Sequence, residues 1–340
     1  MRILLWHVHG GWTDAFVRGD HDYLLPVNDE RDRWGLGRAG RDWPDRVKEV
    51  PVGLLREADV DVVVLQRPDE IDLVEQLTGR APGRDIPAVF VEHNTPKTSI
   101  TNAVHPLADR HDIPIVHVTH FNRLFWDNGA APTTVIEHGV ADPGPLYTGE
   151  LARIGVVINE PVRRGRVTGS DLLPGFAALA PVDVFGMHAE TLPRVLDTPP
   201  GRVVAAGDLP PVSLHAELAL RRLYLHPLRW TSLGLALLEA MHLGMPVLAL
   251  DTTEASRAVP PEAGFISNDL AALRGEAERL LQDPSHAHDR GLAARRFALA
   301  HYGLPAFLQN WDAVLSDLTR MRRRVRQIGL VSSATERNPR

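Results

Sequence analysis

Short, nearly unbroken apolar runs recur along the chain and alternate with longer stretches of helical period. The runs at 2–8, 61–66, 87–93, 113–119 and 133–137 are rich in Val, Ile and Leu. A run that is apolar at successive positions suits a strand covered on both faces, the condition of a buried parallel sheet. Between these runs, 68–79 and 120–129 carry apolar residues at helical spacing. Alternation of the two patterns predicts βαβ units.

A stretch dense in Gly and Pro at 139–150 interrupts the pattern, which then restarts with runs at 152–158, 182–187, 202–207, 222–227, 246–250 and 264–267. Helical stretches within 269–302 and 304–326 follow the last predicted strand. At 340 residues the chain exceeds what one hydrophobic core usually supports. The expected fold class is therefore α/β, with two Rossmann-like βαβ domains.

Composition narrows the function classes. The net charge of −6 supplies no field for nucleic acid, so no nucleic-acid partner is expected. Without cysteine there are no disulfides, thiolate zinc sites or cysteine nucleophiles. The N-terminal apolar run is too short for a signal peptide, and no stretch approaches the roughly 20 apolar residues of a membrane span. A cytoplasmic protein is expected.

In open α/β sheets ligands bind beyond the carboxyl ends of the strands. After the first run come Gly10 and Gly11, which let backbone approach a ligand without a Cβ between. His7 and His9, two apart, are expected on one face of that strand end, as satisfied histidines rather than metal ligands. The third run ends in "VEHNTPK", where His93 could donate a hydrogen bond or a proton. In the second half, "NEPVRRGRVTG" sets Arg163, Arg164 and Arg166 after a strand, a bidentate grip for phosphate or else a solvated basic loop.

The stretch "TSLGLALLEAMHLGMPVLAL" (231–250) places one carboxylate, Glu239, in an apolar helix. Ser232 is the expected N-cap, with a helix from about Leu233 to Leu243 closed by Gly244. The amides of Leu233, Gly234 and Leu235 would then be free to bind an anion. Glu239, two turns from Ser232, would share its face and suit the two hydroxyls of a ribose.

These residues carry a family resemblance. "RRLYLHPLRWTSLGLALLEAMHLGMPVLALD" (221–251) resembles the nucleotide-binding core of the retaining GT-B glycosyltransferases, the glycogen-synthase-like and mannosyltransferase-like group often called family 4. "TTVIEHGVAD" (133–142) and "VVAAGDLPPVSLHAELALRRLYLHP" (203–227) resemble further segments of that group. The resemblance implies two Rossmann-like domains facing a central crevice. An acceptor domain would occupy 1–145 and a donor domain 146–303. A helix at 304–328 would return to the first domain, and a disordered tail would follow at 329–340.

By the same resemblance, Gly10 and Gly11 face the donor phosphates, Arg164 precedes Gly165 as a basic donor-site residue, and Glu239 binds ribose. His93 lies near the transferred sugar, and is implied as catalytic together with Arg164 and Thr231. Two positions depart from the group's pattern: Thr231 stands where a glutamate is usual, and Asn159 where an arginine is. The implied chemistry is retaining transfer from a UDP- or GDP-sugar to a small-molecule, polysaccharide or lipid-linked acceptor, with no cofactor or metal required. Arg163, Arg164 and the amides of the stretch Ser232, Leu233, Gly234 and Leu235 would neutralise the leaving diphosphate. A sugar-nucleotide epimerase or hydrolase, and a non-catalytic nucleotide-sugar-binding protein, are the alternatives.

Near the C-terminus, Arg320, Arg322, Arg323, Arg324 and Arg326 surround Leu318, Met321 and Val325 at helical spacing. Such a helix either touches the inner face of an anionic membrane or is a solvated helix end.

Overall fold

The computed structural model describes the backbone of residues 1–335 and the side chains of 1–320. The chain forms two compact units, Met1–Gly139 together with the chain from Pro305 onward, and Val140–Leu304.

The first unit is built on a seven-stranded parallel sheet in the order β3-β2-β1-β4-β5-β6-β7. Its strands are β1 (Arg2–Leu5), β2 (Asp22–Val27), β3 (Val47–Pro51), β4 (Val62–Leu65), β5 (Ala88–Glu92), β6 (Ile115–His117) and β7 (Thr133–Val135). The helices α1 (Gly10–Phe16), α2 (Glu70–Thr78) and α3 (His120–Phe125) connect them. Every residue of β4 and β5 is buried, as their apolar runs require.

β2 and β3 carry no apolar-run signal. Pro26 interrupts β2, but the β1 pairing ends at Leu4–Leu24, so the missing N–H breaks no rung with β1. β3 is an edge strand with Lys48 and Glu49 at its centre, a charged pattern typical of protected edges.

The second unit holds a six-stranded parallel sheet in the order β10-β9-β8-β11-β12-β13. Its strands are β8 (Leu151–Val157), β9 (Val182–Phe185), β10 (Val203–Gly207), β11 (Arg221–His226), β12 (Val247–Ala249) and β13 (Gly264–Ile266). Around them lie α4 (Pro161–Arg164), α5 (Leu173–Ala177), α6 (Leu192–Val195), α7 (Pro211–Leu218), α8 (Leu235–Leu243), α9 (Ala255–Ala258), α10 (Leu270–Gln282) and α11 (Pro284–His301). Successive residues of a strand point to opposite faces. Leu223 and Leu225 accordingly join Phe176 and Leu273 in one core layer, while Tyr224 joins Leu237 and Met241 in the other.

The last helix, α12 (Leu304–Thr335), belongs to the first unit. Phe307, Trp311 and Leu315 recur every fourth residue and are buried. Trp311 meets the rings of Trp12 and Phe16 at centroid distances of 5.6 and 5.1 Å. The helix runs past 328, where a disordered tail was expected. No proline stands between 329 and 335 to end its hydrogen-bond ladder. Residues 336–340, and the arginine side chains beyond Arg320 on which the membrane expectation rests, lie outside those described.

Both sheets reverse their order of strand addition once, between β1 and β4 and between β8 and β11. In open parallel sheets this reversal opens a crevice at the carboxyl ends of the two strands. The loops that follow β1, β4, β8 and β11 are therefore where each unit would hold a ligand.

Candidate functional site

In the second unit, β8 leads into α4 and β11 leads into the loop before α8. The loops touch: the amide nitrogens of Arg229 and Trp230 donate to Val167 O at 2.9 and 3.3 Å. Gly169 closes the junction. It adopts φ +71°, and a Cβ there would overlap the carbonyl oxygen of Pro227.

The three arginines of the first loop separate by partner. Arg163 is exposed and paired with Glu160, and Arg166 pairs with Asp171 at 3.0 Å. Arg229 also grips Asp171, at 2.5 and 2.9 Å. Among the described residues Arg164 has no ion-pair partner. It is half-buried, and burial, followed by the neighbouring Arg163, lowers its pKa. Glu160 offsets part of that shift without pairing with Arg164, so the guanidinium keeps its donors for an anion.

The opposite loop differs from expectation at its cap. Gly234, not Ser232, is the N-cap of α8, with φ −72° and ψ 121°. Ser232 precedes it by two residues, too far back to reach the first-turn amides. Its Oγ is buried and without a hydrogen bond. The cause is His226 at the end of β11: a Cβ on Gly234 would lie 2.5 Å from its ring carbon Cε1. Only glycine lets the chain lie on this buried ring and turn into the helix there. The amides of Leu233, Gly234, Leu235 and Ala236 meet no acceptor among the described residues. The run of open amides thus starts at Leu233 and extends one residue beyond Leu235.

Glu239 lies in the second turn of α8, its side chain 25% exposed. His215 of α7 approaches it with Nε2 at 3.7 Å, and that nitrogen is buried with no hydrogen bond. Below lies the Tyr224 hydroxyl, its pKa raised first by burial and then by Glu239, at 3.2 Å from His226 Nδ1. Neither His215 nor His226 was singled out in the sequence. His226 sits inside an apolar strand run and His215 inside an ordinary helix, so only tertiary contact marks them. Thr231 is half-buried in the same loop.

In the first unit, Gly10 and Gly11 open α1, whose N-cap is His9. β1 ends at Leu5, so His7 and His9 are not on a strand face and do not act together. His7 Nδ1 lies 3.2 Å from Gly37 O, and its ring packs edge-on against Trp43. His9 instead packs against His93, with centroids 4.0 Å apart.

His93 follows β5 and is buried, its Nε2 at 3.1 Å from Gln66 Oε1. Gln66 Nε2 donates in turn to Trp6 O at 2.8 Å. Burial, then His9 and His138, lowers the His93 pKa far below the usual imidazole value. Burial likewise brings His138 and His9 to about 4 each. The cluster is therefore neutral at pH 7, and His93 is a hydrogen-bonding rather than charged group.

Next to it, Glu92 Oε1 accepts the Asn94 amide at 2.6 Å. The Leu107 amide donates to His105 Nδ1, leaving His105 Nε2 to donate to Glu92 Oε2 at 3.1 Å. This pair fixes the start of the loop that follows His93.

Among the described residues, no group of three or more His, Asp or Glu is arranged to hold a metal ion, and no helix is long and apolar enough to cross a membrane.

Residues 182–283, which include β11, α8 and Glu239, match the family described as glycosyl transferases, group 1. Over the whole chain, the structure is similar to HepE from Anabaena, solved with UDP, at a TM-score of 0.68 and 15% identity. That match covers 93% of this chain and all of HepE. The likeness to sucrose-phosphate synthase from Thermosynechococcus elongatus is of the same order. There the TM-score is 0.69 and the identity 16%, covering 94% of this chain and all of that one.

The chain has the GT-B fold of these glycosyltransferases. The α/β class and paired Rossmann-like units expected from the sequence are thereby established. This GT-B chain also matches TarM over 75% of its own length with a TM-score of 0.59 and 16% identity, and spans 54% of TarM. A search of the curated proteins found no match.

Proposed function

We propose that this GT-B chain transfers a sugar from a nucleoside diphosphate sugar to an acceptor with retention of configuration and without a metal. The second unit holds the donor. Arg164 and the amides of Leu233, Gly234, Leu235 and Ala236 take the diphosphate, and Glu239 takes the ribose hydroxyls. The observation that carries the reading is an unpaired Arg164 and a run of open amides on two loops joined at Val167.

Two fixed positive sources facing a leaving diphosphate supply the charge stabilisation that dominates such reactions. A metal would duplicate it. Similar structures support the nucleotide class, since HepE has been solved with UDP and with UDP-glucose. In the first unit, Gly10 and Gly11 bring the backbone to the edge of β1 without a Cβ, and His93, whose Nε2–H is given to Gln66 Oε1, offers its neutral Nδ1 as a hydrogen-bond acceptor to a hydroxyl of the sugar being moved. Thr231, where the family usually carries a carboxylate, leaves a hydroxyl at the sugar end and narrows the donors accepted there.

The test is a thermal-shift and calorimetric screen of the intact chain against UDP, GDP, ADP and their glucose and mannose conjugates. NMR of the product anomer follows for any donor that is turned over. Stabilisation by one nucleoside diphosphate, with α-donor giving α-product, is the expected result. No shift from any nucleotide would overturn the donor reading, and an inverted product would overturn retention alone.

A further inference from the structure

Four neighbouring strands of the first sheet, β2, β1, β4 and β5, are followed by loops carrying Arg41, Gly10, Arg67 and Lys97 respectively. Arg41 lies against the opening of α1: a Cβ on Gly10 would sit 2.8 Å from its Nη2 and 3.7 Å from His7 Nε2. Arg67 stacks over the Trp34 ring at 4.1 Å and gives Nε to Glu70 at 2.7 Å, while its Nη2 is buried without an acceptor. Lys97 is exposed.

Among the described residues neither Arg41 nor Lys97 has a carboxylate partner. Other arginines of this unit do, as in Arg31 with Glu49 and Arg110 with Asp112. The field around the adjacent rings has one sign. The charge acting on His7 is Arg41, and those acting on His9 are Arg67 and Lys97. Cations gathered from separate loops repel one another, and a bound anion offsets that repulsion.

We propose that the acceptor carries a phosphate monoester, held by Arg41 and Lys97 at the carboxyl edge of the first sheet with Arg67 behind them. The two unpaired charges of Arg41 and Lys97 match a dianion better than a carboxylate, and a guanidinium fork beside an ammonium suits a three-oxygen face. Gly10, lacking a Cβ, lets the Arg41 guanidinium lie against the opening of α1. The assignment rests on the reading of the first unit as the acceptor side. It makes the acceptor a phosphorylated sugar or polyol, or a lipid with a phosphate headgroup.

The experiment titrates the intact chain with glucose 6-phosphate and glycerol 3-phosphate against glucose and glycerol. Phosphatidylcholine vesicles with and without phosphatidic acid serve as the lipid arm. Binding of a phosphate ester in either arm, absent for its neutral counterpart, is expected. It should weaken about tenfold in Arg41→Gln and in Lys97→Gln, the effect of one charge-assisted contact.

UDP affinity should be unchanged in those two variants. If esters bind no better than neutral compounds in both arms, the proposal falls. It falls also if Arg41→Gln and Lys97→Gln weaken UDP as much as the esters, which would give these cations to the donor. Failure of the wild type to bind any nucleotide would instead count against the donor reading, leaving ester binding to be judged by itself.

Discussion

The carboxyl edges of the two sheets answer the same topology with different side chains. In the first unit the edge around His93 is dry: His9, His93 and His138 pack together, neutral because burial denies them protons. In the second unit the edge is polar and incomplete, with Arg164 unpaired, Glu239 partly exposed and four amides open. A strand order that reverses at one point creates the location, but the side chains after each strand decide what it receives. A wall of neutral buried rings suits hydrogen bonding to a sugar, whereas an unpaired cation and open amides suit a diphosphate.

Acidification should separate the two edges most strongly. His9, His117 and His138 are held near 4, and His93 well below the usual imidazole value, all by burial first. The unfolded chain binds protons near pH 6.5, so between 6.5 and 4 it holds more protons than the folded one. The stability these histidines contribute is complete above 6.5 and is lost as pH falls toward 4, at about 1.4 kcal/mol per pH unit for each. The second unit has His226, held near 3, and His242, also lowered. The first unit should therefore unfold first in acid.

Of the seven tryptophans only Trp230 lies in the second unit, so tryptophan fluorescence reports the first. Denaturant unfolding at pH 7 and pH 5 should move the fluorescence transition more than the circular-dichroism transition. His138→Gln should reduce the difference. Equal movement of both would mean that the dry cluster does not set acid stability.

The junction of the second site is the next most sensitive place. Gly169→Ala would put a methyl group on the Pro227 carbonyl at a left-handed backbone position. A loss of about 3 kcal/mol is expected, comparable with other strained or overpacked substitutions. It would be seen as a lower midpoint in the circular-dichroism transition with the fluorescence transition unmoved. An unchanged midpoint would show the two loops free to part.

Much of this was legible in the chain, and its gaps have causes. Val62–Leu65 and Ala88–Glu92 announce themselves because strands buried on both faces have no polar register. β2 and β3 do not, because an interrupting Pro26 and the edge charges Lys48 and Glu49 remove the apolar run. The fold class followed from alternation, and the loops worth examining from the rule about strand ends.

The error at Ser232 has a tertiary origin. A serine before an apolar helix is a good local cap, but the buried His226 ring dictates where glycine must stand, and the helix starts after it. Likewise, three arginines in four positions look alike in sequence. Only the placement of Glu160 and Asp171 leaves Arg164 as the unpaired one.

Arg164→Gln sharpens the contrast further, because it removes the charge the second edge holds in reserve. The variant should weaken UDP or GDP by about 2 kcal/mol, or some thirtyfold, the scale of a charge-assisted hydrogen bond. The stability of the free chain should be unchanged or slightly higher, since a half-buried cation without a partner contributes nothing to it. Arg163→Gln, which breaks only an exposed pair with Glu160, should change affinity little. Equal effects at 163 and 164 would indicate a diffuse basic loop rather than a specific grip.

Glu239→Gln has a smaller expected effect than Arg164→Gln and a more specific one. The substitution keeps the size of the side chain and its place above Tyr224, but replaces a carboxylate that accepts from two hydroxyls with an amide that accepts at one oxygen. Affinity for a nucleoside diphosphate should fall about tenfold. Inorganic pyrophosphate has no ribose and should bind Glu239→Gln as it binds the wild type, whereas Arg164→Gln should weaken both ligands. His215→Gln, changing the neighbour 3.7 Å away, should shift nucleotide affinity less than Glu239→Gln does. If pyrophosphate and nucleotide weakened equally in Glu239→Gln, its carboxylate would be acting through the shape of the α8 turn, and the ribose would have to be held elsewhere on that edge.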